Sequence, residues 1–82
     1  MKINEIENKL IETLGKYKYK TINEQLNKIY YFDIEQENKV KKIEKVKDIL
    51  NTYTKLYLFN IGFGGGQMLD KYTTLCKIEI VS

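Results

Sequence analysis

Apolar residues in this chain recur at two spacings, and the alternation between those spacings limits what the chain can fold into. Ile3, Ile6, Leu10 and Leu14 step by three and four residues, with Ile11 widening the stripe. That is the period of an amphipathic helix over Ile3–Leu14. Asn4 followed by Glu7 is a weak capping signal at its start. Gly15 stands where a left-handed C-terminal stop belongs. The same period returns over Asn38–Leu50, where Val40, Ile43, Val46, Ile49 and Leu50 define a buried stripe. The outer side of this second helix carries Lys41, Glu44, Lys45 and Asp48, mixed in sign, so it reads as a solvated face.

Between and after the helices the period shortens to two. Lys16 to Ile22 alternates strictly, and Ile29 to Glu35 is dense in β-formers, so residues 16–35 favour a hairpin turning at Asn23–Asn27. A helix is the alternative there. Thr21 and Glu24 spell a capping box, after which Ile22, Leu26, Ile29 and Tyr30 share a face. Beyond Asn51-Thr52, Lys55–Phe63 carries Tyr57, Phe59, Ile61 and Phe63 on one face and Leu56 and Leu58 on the other. Thr73–Val81 carries Thr74, Cys76, Ile78 and Ile80 on one face, with Lys77 and Glu79 pointing away. Helix, hairpin, helix, hairpin implies a small two-layer α+β domain. Its four-stranded antiparallel sheet would have both helices on one side.

At 82 residues the chain has room for one domain and one modest core. Cys76 is its single cysteine and histidine is absent, so neither an internal disulfide nor a histidine-bearing metal site can staple the fold. A reducing, cytoplasmic setting is the expectation. The N-terminal residues lack the apolar core of a signal peptide, and no apolar run is long enough to span a bilayer. The formal charge is +3, all of it carried against the acids by lysine, since arginine is absent. Lysine cannot make the planar two-pronged contact by which guanine is most often read, which disfavours sequence-specific DNA recognition. The excess of Lys, Ile, Asn and Tyr, with no Ala or Pro, points to AT-rich coding, as in a low-GC bacterium or its phage.

Two segments are candidate sites. The first connects the last two strands, running from Gly62 through Phe63, Gly64, Gly65, Gly66, Gln67 and Met68 to Tyr72. Four of the five glycines crowd its start. Read as a long surface loop, it has two functional uses. Phe63, Met68 and Tyr72 form an adaptable apolar contact for a protein, or the freed N–H groups of Gly64–Gly66 nest an anion such as a nucleotide phosphate. The bland reading is that the glycines only permit positive φ angles and a bulge. No lysine-serine or lysine-threonine pair follows, so a Walker-type loop does not fit.

The second segment interleaves Lys16, Lys18 and Lys20 with Tyr17 and Tyr19, a combination able to grip single-stranded nucleic acid. Strand alternation would instead send the tyrosines to the core and leave the lysines as a charged outer face. Cys76, mid-strand among apolar neighbours, reads as an inert buried thiol, and no histidine exists to activate it. No zinc-ligand spacing and no EF-hand loop occur.

With these exclusions the expected function is binding, not catalysis, and no cofactor is called for. Seven tyrosines exceed the needs of so small a core, and exposed tyrosine is a favoured interface anchor. The leading expectation is a protein partner, whose larger assembly the chain inhibits or adapts. In size, composition and α+β economy the chain is similar to small phage or mobile-element proteins that block host defences, including anti-CRISPR proteins. A DNA mimic is disfavoured, because it would be strongly acidic. Nucleic-acid binding through Lys16, Lys18 and Lys20, anion binding at Gly64–Gly66, and a homodimer through an exposed sheet edge are the alternatives.

Overall fold

The computed structural model describes residues 2–68 and 71–81, with side chains described outside 66–72. The elements run α1 (Lys2–Leu14), β1 (Tyr19–Ile22), β2 (Lys28–Glu35), α2 (Lys39–Thr52), β3 (Leu58–Met68) and β4 (Lys71–Val81). The four strands form one antiparallel sheet in the order β1-β2-β4-β3. The domain is α+β, and both helices pack on the same face of the sheet.

α1 buries Ile3, Ile6 and Leu10 against that face. Gly15 ends it as its position implies. Its φ is +83°, and its N–H donates to the Ile11 carbonyl at 2.8 Å. Asn4 lies within the helix, which starts at Lys2, so it does not cap. α2 follows Asn38, itself left-handed at φ 62° with no side-chain cap. Its apolar stripe sinks along its length: Val40 is 65% exposed, Ile43 half-buried, and Val46 and Leu50 buried. Val40, expected in the buried stripe, is therefore not core.

Residues 16–35 form the hairpin. Its turn is held by the Asn23 side chain, whose Oδ1 accepts from the N–H groups of Gln25 and Asn27 at 3.0 and 2.9 Å. This local capture explains why Asn stands there and why the competing helix is not taken. The helix-ward face of the sheet supplies Tyr30, Phe32 and Ile34 from β2 and Cys76, Ile78 and Ile80 from β4. All are buried in one cluster with Ile6, Leu10, Val46 and Leu50. Leu56, expected on a strand, lies in the turn before β3 and is exposed.

Candidate functional site

The largest departure from expectation lies in the glycine segment. It is strand, not loop. β3 and β4 pair without interruption from Leu58↔Val81 to Met68↔Lys71, so Gly64, Gly65 and Gly66 lie opposite Leu75, Thr74 and Thr73. Gln67 pairs with Tyr72. Only residues 69 and 70 separate the strands, and both lie outside the described residues. A register this regular contains no bulge, and Gly62, Gly64 and Gly65 have no positive φ. Both structural reasons for glycine put forward from the sequence therefore fail. The anion nest loses its geometry too, because extended pairing turns successive N–H groups to opposite sides of the strand.

What the glycines do is leave space. A Cβ added at Gly62, Gly64 or Gly65 would meet nothing within 4 Å. With bulge and left-handed turn removed, glycine in a strand marks a place where something approaches the backbone closely. Among the described residues nothing does so at Gly62, Gly64 or Gly65.

Register places that space beside two tyrosines. Tyr19 pairs with Tyr31, Tyr31 with Lys77, and Lys77 with Gly62, giving one row across all four strands on the face away from the helices. The next row holds Asp33, Leu75 and Gly64. The Tyr19 and Tyr31 rings stack at 4.3 Å with 25° between their planes. Tyr31, Leu75, Lys77 and the β3 segment Gly62, Phe63 and Gly64 line a shallow trough of about 240 Å³. Its floor on the β3 side is bare backbone.

Polar clamps frame this trough. Glu79 accepts from three amides: Asn23 Nδ2 at 2.8 Å, Asn27 Nδ2 at 3.1 Å and Asn60 Nδ2 at 3.0 Å. The Asn60 and Asn27 hydrogen bonds hold the Glu79 carboxyl below its usual pKa. Together they tie the β1–β2 turn and β3 to β4. On the other side, Lys18 Nζ lies 3.6 Å from Asp33, which also accepts from Thr73 Oγ1 at 3.3 Å.

The lysine row of residues 16–20 does not exist as a surface. The chain bends at Lys18 before β1 begins, which breaks the strict alternation. Lys18 consequently serves the open face, whereas Lys20 turns helix-ward, 3.4 Å from Glu7 and over the rings of Tyr17 and Tyr30. Lys16 is exposed ahead of the strand. Of the two tyrosines expected in the core, Tyr17 packs edge-on to Tyr30 and Phe32, but Tyr19 stands on the open face. Among the described side chains the open face thus mixes Lys18 and Lys77 with Asp33, Glu35 and Glu79, which form no basic track for a phosphate backbone.

Phe63 shares the helix-ward phase of its partner Cys76 yet is 48% exposed. The side chains of Gln67, Met68 and Tyr72 fall outside the described residues. Two site features were missed from sequence. One is Leu75, which takes the opposite phase from Thr74 and Cys76 and so belongs to the trough. The other is an apolar groove of about 360 Å³ between the end of α2 and β3, lined by Leu50, Tyr57, Phe59 and Ile61 among others.

Cys76 is buried on the helix-ward face, and burial pushes its thiol up to about 11. Among the described residues no group of His, Cys, Asp or Glu is placed to hold a metal, and no helix is long and apolar enough to cross a membrane. No family model matches the chain, and no curated protein or solved structure matches it either.

Proposed function

We propose that this chain is a non-catalytic binding module that docks a partner protein on its open sheet face. The observation that carries the reading is the trough. Glycine occupies strand positions where the fold itself has room for a larger side chain, next to a tyrosine stack and Leu75. A strand loses roughly 0.5–1 kcal/mol for each glycine it carries in place of alanine, so a space kept open at that cost favours an external occupant. The small apolar centre is edged by Lys77, Asp33 and Glu79, the pattern of a protein interface with a dry middle and a polar border. The chemistry fits a partner that presents a projecting aliphatic or aromatic side chain, with its own main chain close to Gly62 and Gly64. Burying one such side chain contributes about 2 kcal/mol.

Inhibition or adaptation of a larger assembly, of the kind an anti-CRISPR or other anti-defence protein performs, is one consequence such docking would have. The test is affinity capture with purified tagged chain from a low-GC bacterial lysate, followed by direct titration of the captured protein. Replacing Leu75 with Lys should abolish the titrated binding, while the far-ultraviolet circular dichroism stays unchanged. Undiminished binding by the folded Leu75→Lys chain would move the interface off this face.

A further inference from the structure

The two edges of the sheet are built differently. β1 has four residues, is preceded by a bend, and carries Lys20 within it and Lys16 and Lys18 just before it. Short, bent and charged is how a natural sheet blocks strand addition. β3 is the opposite. It has eleven residues, and from Leu58 to Met68 it contains no charge and no proline. Its pairing to β4 is regular throughout, so the other side of the strand presents an unbroken row of main-chain donors and acceptors.

The side chains along β3 are unevenly distributed. Leu58, Phe59, Asn60 and Ile61 fill its first half, and Gly62, Gly64, Gly65 and Gly66 occupy most of its second. On the open face a strand of that kind is complementary to itself when reversed, because Leu58 and Asn60 then lie beside glycine. Paired in parallel it would set bulk against bulk. Absence of charge removes the like-charge repulsion that a two-fold copy otherwise meets at its axis.

We infer that β3 pairs antiparallel with β3 of a second copy of this chain, about a two-fold axis near Ile61, to form a continuous eight-stranded sheet. In this register Leu58, 70% exposed in the single chain, lies opposite Gly64 of the second copy, and Asn60 lies opposite Gly62. On the helix-ward face Phe63 lies opposite Phe59, at the apolar groove beside α2. The pairing thus covers Leu58 and Phe63, two of the large apolar side chains that the monomer leaves exposed. Seven paired residues span about 23 Å of edge, which places the contact among small, reversible interfaces. One consequence rests on the open-face reading. The trough is unwalled where β3 is the edge, and Leu58 and Asn60 of the second copy would wall it.

The test is sedimentation velocity on the pure chain between about 5 and 500 µM, a range that brackets interfaces of this size. The weight-average mass should climb from the 9.7 kDa of one chain towards twice that value. Replacing Leu58 with Lys should raise the dissociation constant at least about tenfold, because the apolar contact of Leu58 over Gly64 of the second copy is lost. Tyr31→Ala, on β2 with β4 between it and the β3 edge, should leave it unchanged while removing one wall of the partner trough, which separates this inference from the partner-docking reading. Register is checked by mixing Leu58→Cys with Gly64→Cys chains under mild oxidation. The mixed disulfide should exceed both self-disulfides, since two copies of residue 58 would lie about 20 Å apart. A single chain at every concentration would overturn the inference. So would a dimer indifferent to Leu58→Lys, or one lacking the mixed crosslink.

Discussion

The Tyr30 hydroxyl donates to Glu7 Oε2 at 2.6 Å, joining a buried ring of the central sheet to the first helix. Lys20 approaches the same carboxylate oxygen at 3.4 Å. One acid on α1 therefore receives both the phenol of β2 and the ammonium of β1. The Tyr30 hydrogen bond is the largest influence on Glu7 and lowers its pKa. Burial first, and then the same contact, raise that of Tyr30.

Because Glu7 titrates lower in the folded chain than its usual 4.5, the unfolded chain binds the proton more readily. Its contribution is therefore fully present above about pH 4.5 and is lost as the pH falls through the folded value. Glu79 adds in the same direction. Urea unfolding between pH 7 and pH 3 should show stability falling below about pH 4.5, with the fall reduced in Glu7→Gln. At pH 7, Glu7→Ala should cost about 1–3 kcal/mol, because it strands the Tyr30 hydroxyl.

Gly64→Val should stabilise the isolated chain. The backbone there is extended, no atom lies within 4 Å of the added Cβ, and valine is a good strand former. The expected gain is about 0.5–1 kcal/mol, read as a higher urea midpoint with unchanged slope. Partner titration should meanwhile weaken, because the trough is filled. A loss of stability would mean that the space is not free.

Gly15→Ala should act oppositely. At φ +83° a β-carbon is strained, and the expected loss is about 1–2 kcal/mol by chemical denaturation.

Cys76 should resist thiol reagents at pH 8 and react fully once unfolded in urea, since burial holds its thiol up at about 11. Fast reaction of the native chain would show that β4 is open to solvent.

The architecture was legible because the period signals agree with local stops. Ile3–Leu14 ends at a glycine that adopts the required angle, and Asn23 supplies the turn that makes the hairpin win over the helix. The glycine-rich segment misled because a glycine run carries no side-chain alternation. Its strand character comes from pairing with Thr73–Leu75, which no local signal encodes. The lysine row failed for a related reason. Strict alternation from Lys16 to Ile22 implies one straight strand, but the bend at Lys18 changes which side each later residue faces. The trough was invisible because its lining comes from three strands brought together only by register.

The unequal borders of the sheet bear on how far assembly can proceed. Once β3 is paired over residues 58–64, the outermost strands of the pair are two copies of β1, each four residues long and preceded by lysine. Addition would then halt at two molecules. With β3 so paired, a chain with so bare a border would escape fibre growth because its other border resists extension.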